Sequence, residues 1–153
     1  QGESLIAEGA KVYIIDDAEL DRVKNNYPVM WKDKNATPKL CFVGCPHLSY
    51  DQLVEWTENV SEALKKNGRS KVSIPTVFTA APAVVEKFNA TPNAAKLKAT
   101  GVVLSYICPL MYMNNPLAGK MPVITNSNKL RTYTTSRYYT SAEILDIITK
   151  EAK

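Results

Sequence analysis

The chain has 153 residues, of which 45% are hydrophobic and 22% charged, with a formal net charge of +4. These values are typical of one globular domain with a substantial core. The basic residues are scattered rather than gathered in a dense stripe, which argues against a nucleic-acid-binding protein. No apolar run reaches the roughly 20 residues of a membrane span and no signal-peptide pattern opens the chain, so we expect a soluble cytoplasmic protein.

The first half of the chain predicts two strands and two helices. A β-rich run precedes Asp16 and Asp17, which are suited to cap a helix, and a loop with two prolines follows that helix. Ser49 is the predicted cap of a second helix with an i, i+3, i+4 apolar stripe. The predicted elements are a strand over 11–15, a helix over 18–26, a loop over 27–38, a strand over 40–43 and a helix from Ser49 through Asn67.

The second half predicts three strands and three helices. Pro75 falls within the first of these strands, which indicates an edge or irregular strand. Two short helices each open with a proline in the first turn, and Ser141 is the predicted cap of the last helix. The predicted elements are a strand over 72–78, helices over 82–88 and 92–99, strands over 101–107 and 122–125, and a helix from Ser141 through Lys150.

The alternation of strands and helices predicts an α/β fold with three α/β/α layers and a mainly parallel sheet. Such sheets bind ligands at the carboxyl ends of their strands. Three polar segments follow predicted strands and should share that edge: Gly44-Cys45-Pro46-His47, Ile107-Cys108-Pro109 and Thr125-Asn126-Ser127-Asn128-Lys129. Proline after each cysteine turns the chain sharply, which we expect to direct the thiol away from the core.

Each of these residues also has a purely structural interpretation. Cys45 and Cys108 could be small buried hydrophobes, and Cys41 lies inside an apolar strand, where burial is the favoured interpretation. His47, the only histidine, could cap the next helix. The Asn126-Ser127 step could be a simple turn, and Lys129 a solvated cation. Tyr112 and its methionine neighbours are better explained by packing than by cofactor binding.

The three cysteines are an odd number, which argues against a disulfide framework and for reduced thiols. Iron–sulfur clusters usually take three or four cysteines, so a cluster here would need a ligand from elsewhere. Zinc is less favoured because the chain has no Cys-x-x-Cys pair. Nucleophilic catalysis by Cys45 with His47 is a further alternative, although such partners normally meet through the fold. Gln1 is not an initiator methionine, so we expect a piece of a longer protein.

The segment Phe42–Ser49 resembles the GCPHLS signature of the aconitase X family. The resemblance continues in order with Cys108-Pro109, with the TNS-x-K motif at Thr125–Lys129, and with Tyr133. It covers the chain from Leu40 to its end. It implies an aconitase-domain-like α/β domain, residues 1–153, from the C-terminal part of a large subunit.

Members of this family are hydro-lyases, so the resemblance implies a dehydratase that eliminates water from a small hydroxy acid with an iron–sulfur cluster. Known family substrates include cis-3-hydroxy-L-proline and mevalonate 5-phosphate. Cys45 and Cys108 would be two cluster ligands, and a missing N-terminal part of the large subunit would supply the third. A small swivelling domain or subunit would close over the site. The chain alone is then expected to be inactive.

Carried over to this sequence, the family motifs suggest a role for five residues. His47 would orient the substrate or a cluster-bound water, and Ser49 would cap the helix beside the substrate. Asn126 and Ser127 would hydrogen-bond the substrate, and Lys129 would offset its negative charge.

Two departures from the family pattern bear on function. Tyr106-Ile107 stands where the family tends to have Asp-Thr, and Leu130-Arg131-Thr132 follows Lys129 where small and aromatic residues are usual. These changes leave the substrate and the cluster type open. Two alternatives to a hydro-lyase therefore remain: an α/β binding or assembly domain that has lost catalysis, and an enzyme that uses Cys45 as nucleophile.

Overall fold

The computed structural model describes residues 2–151. The described residues do not include Gln1, 152 or 153. Gln1 is the residue on which the expectation of a longer protein rests. The strands are β1 (Leu40–Leu48), β2 (Thr76–Ala80), β3 (Val103–Ser105), β4 (Val123–Thr125) and β5 (Arg137–Tyr138). The helices are α1 (Asp17–Asn25), α2 (Tyr50–Lys66), α3 (Pro82–Asn89), α4 (Pro92–Ala99), α5 (Pro109–Met113), α6 (Asn128–Tyr133) and α7 (Ser141–Thr149), with 3-10 turns at Gly2–Leu5 and Ala118–Lys120. Every helix in this part of the chain is too short or too polar to cross a membrane.

The five strands form one sheet in the order β3-β2-β1-β4-β5, and every pairing is parallel. The predicted α/β class with a mainly parallel sheet is confirmed. The chain builds outward from β1 through β2 to β3, then returns to the other side of β1 for β4 and β5. This reversal makes the gap between β1 and β4 the topological switch point, where open α/β sheets bind ligands.

Helices cover both faces of the sheet. On one face, α2, α3, α4 and α7 pack over a core that contains Cys41, Val43 and Phe78 of the strands. On the other face, α5 and α6 cover a smaller cluster that contains Phe42 and Val123. The alternation of side chains along β1 divides neighbouring residues between these two cores, as expected for a strand buried on both sides.

Local sequence signals account for most helix ends. Ser49 caps α2 through a capping box with Gln52, and the predicted apolar stripe of this helix is buried. Prolines open α3 and α4 in their first turns, as predicted. The last helix begins one residue early because Thr140, rather than Ser141, is its cap, again with a capping box.

One strand prediction is wrong, a second is wrong in part because the strand is irregular in register but not at the edge, and one strand was not predicted. Residues 11–15 form no strand, and Val12–Ile15 is exposed, because these residues find no strand partner in the described chain. The strand near Pro75 starts after the proline, at Thr76, and lies inside the sheet rather than at its edge. The missing N–H of Pro75 therefore removes no ladder hydrogen bond from β2. The edge strand β5 was not predicted, because it has only two residues and no apolar run.

Candidate functional site

Two of the polar segments predicted to share one edge come at the carboxyl ends of β3 and β4, whereas Gly44-Cys45-Pro46-His47 lies within the second half of β1, which continues to Leu48. β1 and β4 are neighbours on either side of the switch point, whereas β3 is separated from β1 by β2. The residues after β3 must therefore cross the end of β2 to reach the switch point. Helix α5 makes this crossing, since it packs against β1.

Gly44 allows β1 and β2 to approach unusually closely. Its φ is +113°, a conformation that side chains with a Cβ rarely adopt. A Cβ at this position would lie 2.3 Å from the carbonyl oxygen of Thr79 and 2.6 Å from its Oγ1. In return, the Thr79 hydroxyl donates a 2.6 Å hydrogen bond to the Gly44 carbonyl. The register between β1 and β2 becomes irregular after Val43, and the peptide bond between Cys45 and Pro46 is cis.

This backbone distortion changes the face on which Cys45 lies. Strict alternation along the strand would place Cys45 with Cys41 and Val43, which pack under α2. Instead Cys45 packs with Phe42 in the cluster beneath α5 and α6. The Cys45 residue is 8% exposed, so its thiol lies close to the edge but largely covered, not pointing freely outward as expected.

Cys108 is the N-cap residue of α5 and is partly exposed. The helix that it opens is held on β1 by Tyr112, whose ring stacks on Phe42 at a centroid distance of 5.4 Å. The Tyr112 hydroxyl also lies 3.1 Å from Oγ of Ser105, the last residue of β3. These contacts bring the segment after β3 to the same side of β1 as Cys45. The packing role predicted for Tyr112 and its methionine neighbours is confirmed for Tyr112 and for the buried Met113, but not for Met111, which is exposed.

Cys41, the third cysteine, is fully buried in the main core, and burial raises the pKa of its thiol. A thiol that resists ionisation is a poor ligand or nucleophile. The packing role predicted for Cys41 is confirmed.

His47 is exposed near the end of β1, and Ser49 begins α2 directly after it. The Ser49 hydroxyl oxygen accepts a 3.2 Å hydrogen bond from the Gln52 amide, while the Gln52 side chain accepts from the Ser49 amide at 2.9 Å. The cap role of Ser49 is thus accounted for within the helix. The exposed side chain of His47 is therefore free to contact a ligand.

The segment after β4 is the start of α6, a helix that the sequence analysis missed. Ser127 is buried and caps this helix by accepting a 2.9 Å hydrogen bond from the Leu130 amide. Asn126 donates its side-chain amide to Oγ of Ser141 at 3.1 Å, which ties the end of β4 to the start of α7. Lys129 is exposed in the first turn of α6. The S-x-x-L spacing of Ser127 and Leu130 resembles an ordinary helix start. The sequence analysis did not identify this helix because α6 is short.

The donor set fits part of an iron centre but not a whole one. Thiolates are the usual protein ligands of iron–sulfur clusters. Cys45 and Cys108 lie at the ends of segments that the fold brings together. Within residues 2–151, however, no group of three His, Cys, Asp or Glu side chains could hold a metal ion. An iron–sulfur cluster held by Cys45 and Cys108 would therefore need at least one further ligand.

Together these features define a doubly wound parallel α/β domain with one cysteine-proline step in β1, beside its switch point, and another at the start of α5. Comparison with protein families matches residues 38–149 to the third domain of aconitase X. The chain belongs to the aconitase X family. A search of curated proteins gave no match.

Among the solved structures that match, one is similar over most of the chain. It is the holo form of aconitase X from Thermococcus kodakaraensis, with a TM-score of 0.65 and 20% sequence identity. The similarity covers 88% of this chain and 33% of that protein. At this identity the likeness establishes the fold alone. The chain spans about a third of the length of that aconitase X.

Proposed function

We propose that this chain is the part of an aconitase X-type hydro-lyase that provides two thiolate ligands and a polar rim to an iron–sulfur site. The family match over residues 38–149 supports the reaction class. The observation that carries the site is the packing of α5 on β1, since this helix begins at Cys108 and covers the cluster that contains Cys45.

In this proposal Cys45 and Cys108 hold the iron centre together with a ligand from the remaining large subunit. Such a centre, when bound, supplies a Lewis acid for a substrate hydroxyl. The substrate is a small hydroxy acid, and a small swivelling domain or subunit closes over it. We place the assembled protein in the cytoplasm.

The rim residues of this chain then bind and orient the substrate. The exposed Lys129 ammonium offsets the charge of a substrate carboxylate. The Ser127 oxygen accepts the Leu130 amide, so its own O–H is left to donate to a substrate oxygen. Asn126 adds an amide on the same segment, and His47, exposed at the end of β1, orients the substrate from the other side. Ser49 contributes chiefly by fixing the start of α2 beside His47.

The test is iron binding by the longest available protein that contains this chain, reconstituted without oxygen. Cys45→Ser and Cys108→Ser should each lower the bound iron and bleach the visible absorption of the cluster. Cys41→Ala is the matched control, since Cys41 lies in the same strand with its thiol buried in the other core. It should retain the iron. Full iron binding by both serine variants would refute the proposed ligands.

A second candidate function is an assembly domain that keeps the fold without the chemistry. The low exposure of Cys45 among apolar side chains favours it, since an iron ligand needs an accessible thiolate. The departure at Tyr106-Ile107, which is exposed ahead of Cys108, also distinguishes this chain from its relatives. This candidate predicts that the reconstituted wild-type protein holds no iron. It also predicts unchanged assembly when Cys45 and Cys108 are replaced.

A further inference from the structure

A polar cavity lies at the carboxyl end of β5, and neither of the two candidate iron ligands lines it. Its volume is about 230 Å³. It lies between the end of α1, the loop after it, and the start of α7, and Asn126 reaches the first residue of α7 from β4. The cavity is lined by Lys24, Asn25, Tyr27, Pro28, Val29, Arg137, Tyr138, Tyr139 and Glu143.

Arg137 has hydrogen-bonding capacity that the described chain leaves unused. Its guanidinium carbon lies 5.6 Å from the ring centroid of Trp31 and 5.3 Å from that of Tyr139. One of its nitrogens donates a 3.3 Å hydrogen bond to the carbonyl of Lys34. No carboxylate among residues 2–151 lies within 4.0 Å of it. A guanidinium has five N–H donors in a fixed fork. The Arg137 guanidinium is held in place by the Trp31 and Tyr139 rings, and most of its donors are left free by the described chain.

The single carboxylate in the cavity lining is already engaged. One oxygen of Glu143 accepts from the Lys24 ammonium at 2.9 Å. The other accepts from the Thr140 amide at 2.7 Å and from its hydroxyl at 2.8 Å. The lining thus carries two cations, Lys24 and Arg137, against one anion whose two oxygens are both occupied. The remaining charge in the cavity is positive.

We propose that this cavity binds a small oxyanion, a carboxylate or a phosphate, through the forked guanidinium of Arg137. Carboxylates and phosphates match that fork because two parallel N–H donors meet two oxygens. The volume is below the roughly 300–1,000 Å³ of pockets for drug-sized ligands, so the occupant is a small molecule or the charged end of one. The proposal does not rest on the iron centre.

The experiment is calorimetric titration of the full chain with inorganic phosphate and, separately, with acetate, at constant ionic strength. We expect saturable binding of at least one anion, and the tighter one identifies the ligand class. Arg137→Gln should weaken binding about tenfold or more, because the anion loses its hydrogen bonds to a charged group. Arg131→Gln is the matched control: Arg131 stacks on Tyr27 with its guanidinium carbon 3.9 Å from the ring centroid, but does not line the cavity.

A second variant distinguishes a loss of binding from misfolding of the Arg137→Gln protein. Arg137→Lys keeps the charge beside the rings and loses the fork, so it should fold and still bind several-fold more weakly. Three outcomes would overturn the proposal. They are absence of saturable binding for both anions, equal affinities in the Arg137→Gln and Arg131→Gln proteins, and wild-type affinity in Arg137→Lys.

Discussion

Gly44→Ala should be among the most damaging single-methyl changes in the chain. The new Cβ would lie 2.3 Å from the Thr79 carbonyl oxygen and 2.9 Å from its amide nitrogen, both backbone atoms of β2. Neither atom can move away without opening the pairing between β1 and β2. A side chain at φ +113° is also strained, by about 1–3 kcal/mol. With the overlap added, we expect a loss of about 3–5 kcal/mol, a large part of the roughly 5–15 kcal/mol that stabilises a domain.

Gly68→Ala separates the two contributions. Gly68 also has a positive φ, +67°, at the end of α2, but a Cβ there would have no atom within 4 Å. Only the backbone strain applies, and it costs about 1–2 kcal/mol. Urea unfolding followed by circular dichroism gives the free energy of unfolding of both variants. The difference between them reports the close contact between Gly44 and Thr79.

Equal losses of free energy of unfolding in the two alanine variants would contradict a close contact between Gly44 and Thr79. That result would mean that β1 and β2 can separate at Gly44 at little cost. The irregular register between these strands would then be incidental rather than fixed by the glycine.

Three further predictions concern stability and thiol reactivity. Thr79→Val should cost about 1–2 kcal/mol in urea unfolding because a buried carbonyl of β1 loses its donor, whereas Thr79→Ser should cost less. Burial opposes ionisation of Glu143, but hydrogen bonds from Lys24 and the helix cap outweigh it, so its pKa lies below the ordinary 4.5. Its stabilising effect is thus complete above about pH 4.5 and is lost as the pH falls through the lowered pKa, so Glu143→Gln should flatten the acid limb of a Tm–pH curve; an unchanged limb would contradict this. In alkylation followed by mass spectrometry, the partly exposed Cys108 should react in the native chain and Cys41 only after unfolding, and early labelling of Cys41 would show that the core assignment is wrong.

Local signals made much of the fold predictable. The spacing of Leu53, Trp56, Val60 and Leu64, with Ser49 as cap, sets the bounds of α2 almost to the residue. Such signals act between residues that are close in the chain, so they survive without knowledge of the rest of the fold. The local pattern of residues 11–15 predicted a strand wrongly. A β-rich run becomes a strand only where a neighbouring strand has free backbone groups to pair with it.

The candidate site was predictable as a set of segments but not as an arrangement of side chains. The order of strands and the rule that ligands bind at carboxyl ends brought Cys45, Cys108 and Asn126–Lys129 to one edge. The role of Ser127 as a buried cap depends on α6, which the sequence analysis missed, and the tie from Asn126 to α7 joins two segments whose contact only the fold shows. No sequence pattern marked Arg137 as a candidate binding residue. Its ring partner Trp31 lies in a distant loop, and its other partner, Tyr139, follows a strand of only two residues.

The sequence by itself therefore determined the α/β class, the parallel sheet, the main helices and the family motif. The tertiary structure alone decided which core each cysteine enters. Alternation along the strand assigns Cys45 to the core that holds Cys41, but Cys45, which follows the positive-φ Gly44 packed on Thr79, lies in the core beneath α5. Thr79 lies 35 residues further along the chain, so no local pattern encodes that contact. The side of the sheet on which the thiol lies is set by two strands meeting, which is a property of the folded molecule.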